Sequence, residues 1–380
     1  MIYKDFQDIK LPMLSVGAMR LPVTGEGTDA VIDQSKTEEM VDYAMEHGIN
    51  YFDTAWGYHD GQSEVAMGKA LARYPRDSYF VADKFPGYDL NNMDKVEEIF
   101  EEQLKRTGLE YFDFYLFHNV CELNVKQYLD DETYGIMTYL RKQKEAGRIR
   151  HLGFSTHGRI DTITEFLNAY GDEMEFCQIQ LNYLDWKLQK TDEVVALLNE
   201  KNIPIFVMEP LRGGKLAALS EENTAKLRSL RPEESTAAWA FRFLQSISGV
   251  KLILSGMSNL QQLQENTAVL SEEKPVSEEE FAALMEVADS MLEILPCTAC
   301  RYCTSHCPQG LDIPTLMFMY NEVRYQNGFI TQMGIGAMED GKKPHDCIAC
   351  GACEAVCPQQ IRISEVMADF VERMKAPVQL

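Results

Sequence analysis

Short apolar runs alternate along the first 270 or so residues with longer stretches whose apolar positions recur at helical spacing. The runs are Leu14–Gly17, the Ile49/Tyr51/Phe52 segment, Tyr79–Ala82, Phe112–Phe117, Ile149–Phe154, Phe176–Leu181, Pro204–Met208 and Leu252–Leu254. Between them lie helical patterns with their own punctuation. A capping box at Ser35/Glu38 opens a Met40, Val41, Ala44 stripe that stops at Gly48, and Asp94–Arg106 is closed by Gly108. Eight runs alternating with helices predict βα units on a parallel sheet. Polar chemistry follows nearly every run, and loops after parallel strands gather on one face of a closed (β/α)8 TIM barrel. That barrel is the expected fold. No Gly-x-Gly-x-x-Gly follows the first run, which removes the main argument for an open dinucleotide-binding sheet.

The pattern changes near residue 275. Ser277 and Glu280 form another capping box, and Phe281, Leu284, Met285, Ala288, Met291, Leu292 and Leu295 share one helical face up to Pro296. The expected division is therefore a barrel over 1–275, a connecting helix over 276–296 packed on the barrel wall, and a second domain over 297–380. In that last part Cys297, Cys300, Cys303 and Cys307-Pro308 repeat as Cys347, Cys350, Cys353 and Cys357-Pro358. This spacing matches the bacterial ferredoxin run twice, in which the fourth Cys of each run ligates the other cluster. Two [4Fe–4S] clusters are expected, one on Cys297, Cys300, Cys303 and Cys357, the other on Cys347, Cys350, Cys353 and Cys307. Zinc is the rival metal, but it leaves the run spacing and the terminal Cys-Pro pairs unexplained. Helical patterns over Asp312–Tyr325 and Ser364–Met374 make the tail resemble an α-helical ferredoxin.

Composition narrows the partners. A formal charge of −23 argues against nucleic acid and anionic membrane surfaces, and it suits a basic partner. No apolar run approaches the ~18 residues of a spanning helix, and Met1 to Lys10 lacks the order of a signal peptide. Eight of the ten cysteines fall in the two clustered runs, leaving only Cys121 and Cys177 in the barrel. That placement fits a reducing cytoplasm rather than a disulfide scaffold.

Asp53, Tyr58 five residues on, Lys84 and His118 stand in that order at successive strand ends. Together they resemble the tetrad of the aldo-keto reductase family, over roughly residues 10–270. The resemblance implies a nicotinamide-dependent oxidoreductase interconverting a carbonyl and an alcohol. Reduction of a carbonyl leaves negative charge on oxygen, so a proton donor is needed. A phenol with a pKa of about 10 is a poor donor unless a neighbouring ammonium stabilises phenolate. Tyr58 is the expected donor, Lys84 the ammonium, Asp53 its holder, and His118 a hydrogen-bond donor to the carbonyl oxygen. The bland alternative is a buried Asp53–Lys84 ion pair with two satisfied polar neighbours.

The same resemblance places Met19 and Arg20 near the nicotinamide and gives Ser155 and Gln178 its carboxamide. Thr156 stands where the family often has Asn, and Met208 where an aromatic commonly stacks. Leu211, Gly213 and Lys215 belong to a loop suited to a pyrophosphate, and Gly256, Ser258, Gln262 and Asn266 to the adenosine end. NADPH-preferring members usually carry cations at the positions of Asn259 and Gln262. Neither is basic here, so NADH stands beside NADPH as the expected cofactor.

The whole chain looks like a ferredoxin-fused aldo-keto reductase. Three readings follow: a carbonyl or alcohol oxidoreductase, a nucleotide-binding redox sensor, and an enzyme whose clusters pass electrons to a carrier protein. Hydride moves two electrons and a cluster one, and no flavin motif is present to split the pair. The clusters could equally be structural staples.

Overall fold

The computed structural model describes residues 1–25 and 30–378. The chain divides into two compact units, residues 1–186 with 190–284, and residues 187–189 with 285–380. The first unit contains β1 (Leu14–Gly17), β2 (Tyr51–Asp53), β3 (Phe80–Phe85), β4 (Phe112–Val120), β5 (Ile149–Thr156), β6 (Cys177–Gln180), β7 (Ile205–Met208) and β8 (Val250–Ser255). They close in chain order into one parallel barrel, with β8 paired to β1 through Leu254 and Ser15. The (β/α)8 barrel is thus the fold.

Alternation along the strands explains why the barrel has an apolar floor and a polar mouth. Side chains two apart share a face. Tyr51, Ala82, Phe114, Leu116, Phe176, Phe206, Leu252 and Leu254 form the inner core. Two residues further on, the same face carries Asp53 after Tyr51, Lys84 after Ala82, His118 after Leu116, Gln178 after Phe176 and Met208 after Phe206. A hairpin over Tyr3–Phe6 and Ile9–Pro12, not foreseen from the sequence, closes the other end. Its Phe6 ring lies 5.6 Å from both Phe114 and Phe206.

Several boundaries differ from expectation. Lys84, His118, Ser155 and Ser255 lie within the last few residues of strands rather than after them. Each strand runs on because its neighbour continues the ladder, as in Lys84 opposite Leu116 and Gln178 opposite Ser155. The first helix, Gln34–Glu46, is capped by Asp33, which accepts from the Lys36 N–H at 3.1 Å, and not by Ser35. The Ser277/Glu280 capping box does form, with both hydrogen bonds made. Phe281 of that helix stacks on Phe243 at 5.5 Å. The helix stops at Met291, short of Leu295. There the Leu295 N–H is given to Asn321 and the Glu293 carbonyl accepts from Arg324, so neither continues the helical ladder.

In the second unit, helices Ile313–Tyr325, Phe329–Gly336 and Ile363–Arg373 surround a small core. Its members recur at a fixed offset: Leu311 and Ile361, Ile313 and Ile363, Met317 and Met367, Tyr320 and Phe370. The repeat thus extends well beyond the cysteines. Among the described residues no helix is long and apolar enough to cross a membrane.

Candidate active site and cysteine hollows

Lys84 is fully buried at the barrel mouth. Its Nζ lies 2.5 Å from Asp53 Oδ1, 2.8 Å from the Thr54 carbonyl and 3.5 Å from the Tyr58 hydroxyl. β3 outruns β2 here, and side chains replace the missing ladder bonds. Asp83 Oδ1 accepts from the Lys84 N–H at 2.8 Å, and Gln103 Nε2 donates to the Lys84 carbonyl at 3.0 Å. Burial pushes the Asp53 carboxyl up and Lys84 pulls it back. Burial also works against the ammonium, but Asp53 and Tyr58 hold it above its usual value. At neutral pH Lys84 is therefore an ammonium, with the Asp53 oxygen against it.

Tyr58 follows from a strained turn. His59, Asp60 and Gly61 have φ of 50°, 52° and 82°, a left-handed stretch costing about 1–2 kcal/mol at each non-glycine. The turn is pinned from outside. Arg106 stacks 3.7 Å over Trp56 and reaches Glu64 Oε2 at 2.9 Å, while Ser63 Oγ bonds Thr54 Oγ1 at 2.9 Å. Burial holds the Tyr58 phenol above its ordinary value, Lys84 pulls it down, and Asp53 and Glu209 push it up. The net direction corrects the simple expectation that the ammonium sets it: without a bound partner the phenol keeps its proton.

His118 is driven well below 6.5 by burial, with Lys84 and His157 adding to the effect, so its imidazole is neutral. Its Nδ1 is buried and has no partner among the described residues. The ring meets Tyr58 edge-on at 6.2 Å and Tyr88 at 5.0 Å. Tyr88 was missed in the sequence. Its hydroxyl would stand 2.4 Å from a side chain added at Gly57, a close approach that no local pattern announces.

On the neighbouring strands Ser155 and Gln178 face each other across the β5–β6 ladder. Ser155 Oγ accepts from the Asn119 N–H at 2.8 Å. Gln178 Oε1 is buried without a partner among the described residues, and its Nε2 reaches only Met208 Sδ, at 3.7 Å. An unmet acyl oxygen at this depth fits a carboxamide donor. Met19 is exposed, and Arg20 runs along Gly256, where an added side chain would come within 3.2 Å of its Cδ. Leu211 and Lys215 are half-buried and Gly213 is exposed. Arg212 is buried in an ion pair with Asp185. The Ser258 N–H is taken by Gln262 Oε1 at 2.8 Å, and Asn259 caps the helix Leu260–Val269. Asn266 Nδ2 reaches Ser255 Oγ at 3.2 Å.

In the second unit the eight cysteines surround two hollows. One is lined by Cys297, Cys300, Cys303 and Cys357. The other is lined by Cys307, Cys347, Cys350 and Cys353. Among the described residues no three His, Cys, Asp or Glu converge tightly enough for a single ion. The loops match as well: Ala299 and Ala349 both have φ 52°, and Arg301 and Gly351 have φ 63° and 72°.

Residues 13–289 match the Aldo/keto reductase family, and the chain belongs to it; residues 296–361 match the 4Fe-4S dicluster domain. This is an oxidoreductase of the aldo-keto reductase type with a ferredoxin-like iron–sulfur domain. Among curated relatives, the probable aldo-keto reductase 1 of Glycine max is 30% identical over 55% of this chain and 58% of its own length. This chain therefore spans less than two thirds of that relative. The NADH-specific methylglyoxal reductase of Escherichia coli is 24% identical over 75% of this chain and 97% of its own. Among solved structures, the holo form of aldo-keto reductase AKR11C1 from Bacillus halodurans superposes with a TM-score of 0.61 at 24% identity. It covers 76% of this chain and 96% of its own. That likeness shows the barrel fold.

Proposed function

We propose that the barrel reduces an aldehyde or ketone, or oxidises the matching alcohol, through Asp53, Tyr58, Lys84 and His118. The observation that carries this is the buried Lys84 ammonium between Asp53 at 2.5 Å and the Tyr58 hydroxyl at 3.5 Å. A reduced nicotinamide, when bound, supplies the hydride. Tyr58 gives its proton to the carbonyl oxygen, and the ammonium stabilises the phenolate left behind. Asp53 keeps Lys84 charged and aimed. Neutral His118 donates to the carbonyl oxygen from one ring nitrogen and fixes its approach.

Ser155 and Gln178 would hold the carboxamide, Met208 would pack on the ring, and the loop of Leu211, Gly213 and Lys215 would take the diphosphate. Met19 and Arg20 would line the nicotinamide end, and Gly256, Ser258, Gln262 and Asn266 the adenosine end. NADH is the favoured cofactor over NADPH, since Asn259 and Gln262 are engaged in starting a helix and carry no charge. The two cysteine sets would hold one [4Fe–4S] cluster each, supplying one-electron exchange with a carrier protein.

Spectra of anaerobically purified protein, taken before and after NADH, NADPH and dithionite, test both halves. Bleaching of cluster absorption by reduced nicotinamide or substrate is expected, with coupling to an external carrier lost in Cys300→Ala and carbonyl reduction kept. Intact clusters that nothing but dithionite reduces, even with carriers present, would leave them as staples.

A further inference from the structure

Glu209 is the residue that follows β7, and it adopts a left-handed conformation with φ 54°. The three residues after Leu211 do the same: Arg212, Gly213 and Gly214 have φ of 45°, 63° and 92°. Within this turn the Arg212, Gly214 and Lys215 N–H groups are spent on the Glu209, Leu211 and Arg212 carbonyls, so the Gly213 N–H is the one that serves as an anion seat. This seat already holds an anion. Glu209 Oε2 accepts from the Gly213 N–H at 2.6 Å. A cation stands beside it, since an Arg20 terminal nitrogen lies 3.4 Å from where a side chain at Gly213 would begin. The stem of Arg20 fills the space over Gly256, so its position is fixed by packing.

Gly213 belongs to the loop to which the proposed cofactor site assigns a dinucleotide's diphosphate, so its N–H is a donor that both anions would claim. Two anions cannot both sit within hydrogen-bond distance of one donor without strong mutual repulsion. We infer that Glu209 is an internal counter-anion occupying the diphosphate seat, and that a dinucleotide binds by displacing its carboxylate from the Gly213 N–H. The inference rests on the cofactor site proposed above. Glu209 thereby sets dinucleotide affinity without touching the reacting atoms.

The test is equilibrium binding of NADH, ADP-ribose and adenosine to the full-length protein and to Glu209→Gln. The amide keeps the size and the acceptor oxygen but removes the charge. Dissociation constants for NADH and ADP-ribose, both of which carry the diphosphate, should fall at least about tenfold. Adenosine, which lacks it, should bind unchanged. Because the chain is strongly acidic, Glu200→Gln serves as the control for a general loss of negative charge, and it should leave all three constants alone. Glu209→Ala should move in the same direction as the amide, which guards against a local packing artefact. Unchanged or weaker NADH binding in both variants would overturn the inference, as would an equal gain for adenosine or in the control. If the unaltered protein and both variants bind neither NADH nor ADP-ribose, the cofactor site itself is wrong, and the inference falls with it.

Discussion

Tyr58 stands in a balance of opposing fields, with burial and two carboxylates favouring the phenol and one ammonium favouring the phenolate. Removing its hydroxyl with Tyr58→Phe should cut kcat for carbonyl reduction by about 10²–10⁴-fold while nucleotide affinity holds. Retention of most of kcat in steady-state assays would sink the tetrad. The two histidines of the mouth make a pH prediction. Burial drives His118 well below 6.5 and His157 to about 4. Both are neutral in the fold and become protonated in the unfolded chain below pH 6.5. Their share of stability is therefore full above that pH and is lost as pH falls. The thermal midpoint should drop between pH 6.5 and 5, and His157→Gln should flatten that slope. The grouping of Asp53, Tyr58, Lys84 and His118 was readable because they stand in order at successive strand ends, an arrangement that resembles the tetrad of the family. Glu209 and Tyr88 were not, because left-handed turns and a glycine gap bring them in, and neither leaves a periodic trace.

Strands and helices were legible to within a few residues wherever one face is apolar. The errors fall where a side chain or a neighbour, rather than periodicity, sets the end. Asp33 took the cap expected of Ser35, and Asn321 ended the Glu278–Met291 helix early. The core of the barrel was legible in the same way, but helix-to-helix packing was not. Gly68 shows why. A side chain added there would lie 2.3 Å from the Thr107 carbonyl oxygen of the helix Val96–Thr107, and backbone cannot yield as a side chain does. Gly68→Ala should destabilise the barrel by about 1–3 kcal/mol, read as a lower denaturant midpoint. An unchanged midpoint would mean the two helices part at no cost.

At the scale of the whole molecule, the two units draw on different sources of stability. The barrel buries an aromatic core of its own. In the second unit Cys303 and Cys353 belong to the same small core as Leu311, Met317 and Phe370. Metal bound there is folding energy for the segment. Stripping iron with a chelator should abolish the helical signal of residues 285–378 and leave carbonyl reduction by the barrel in place. Full retention of that signal would show the hydrophobic core suffices alone. The crossed cysteines also bear on how the protein is made. Each hollow takes three thiols from one run and its fourth from the other. During synthesis the first hollow waits for Cys357, fifty-four positions after Cys303 has left the ribosome. A chain halted before Cys347 would own four of the eight thiols yet complete neither set. On the proposed pairing, neither cluster could be completed until the second cysteine run has been made, and a product terminated before that run would hold no complete ligand set.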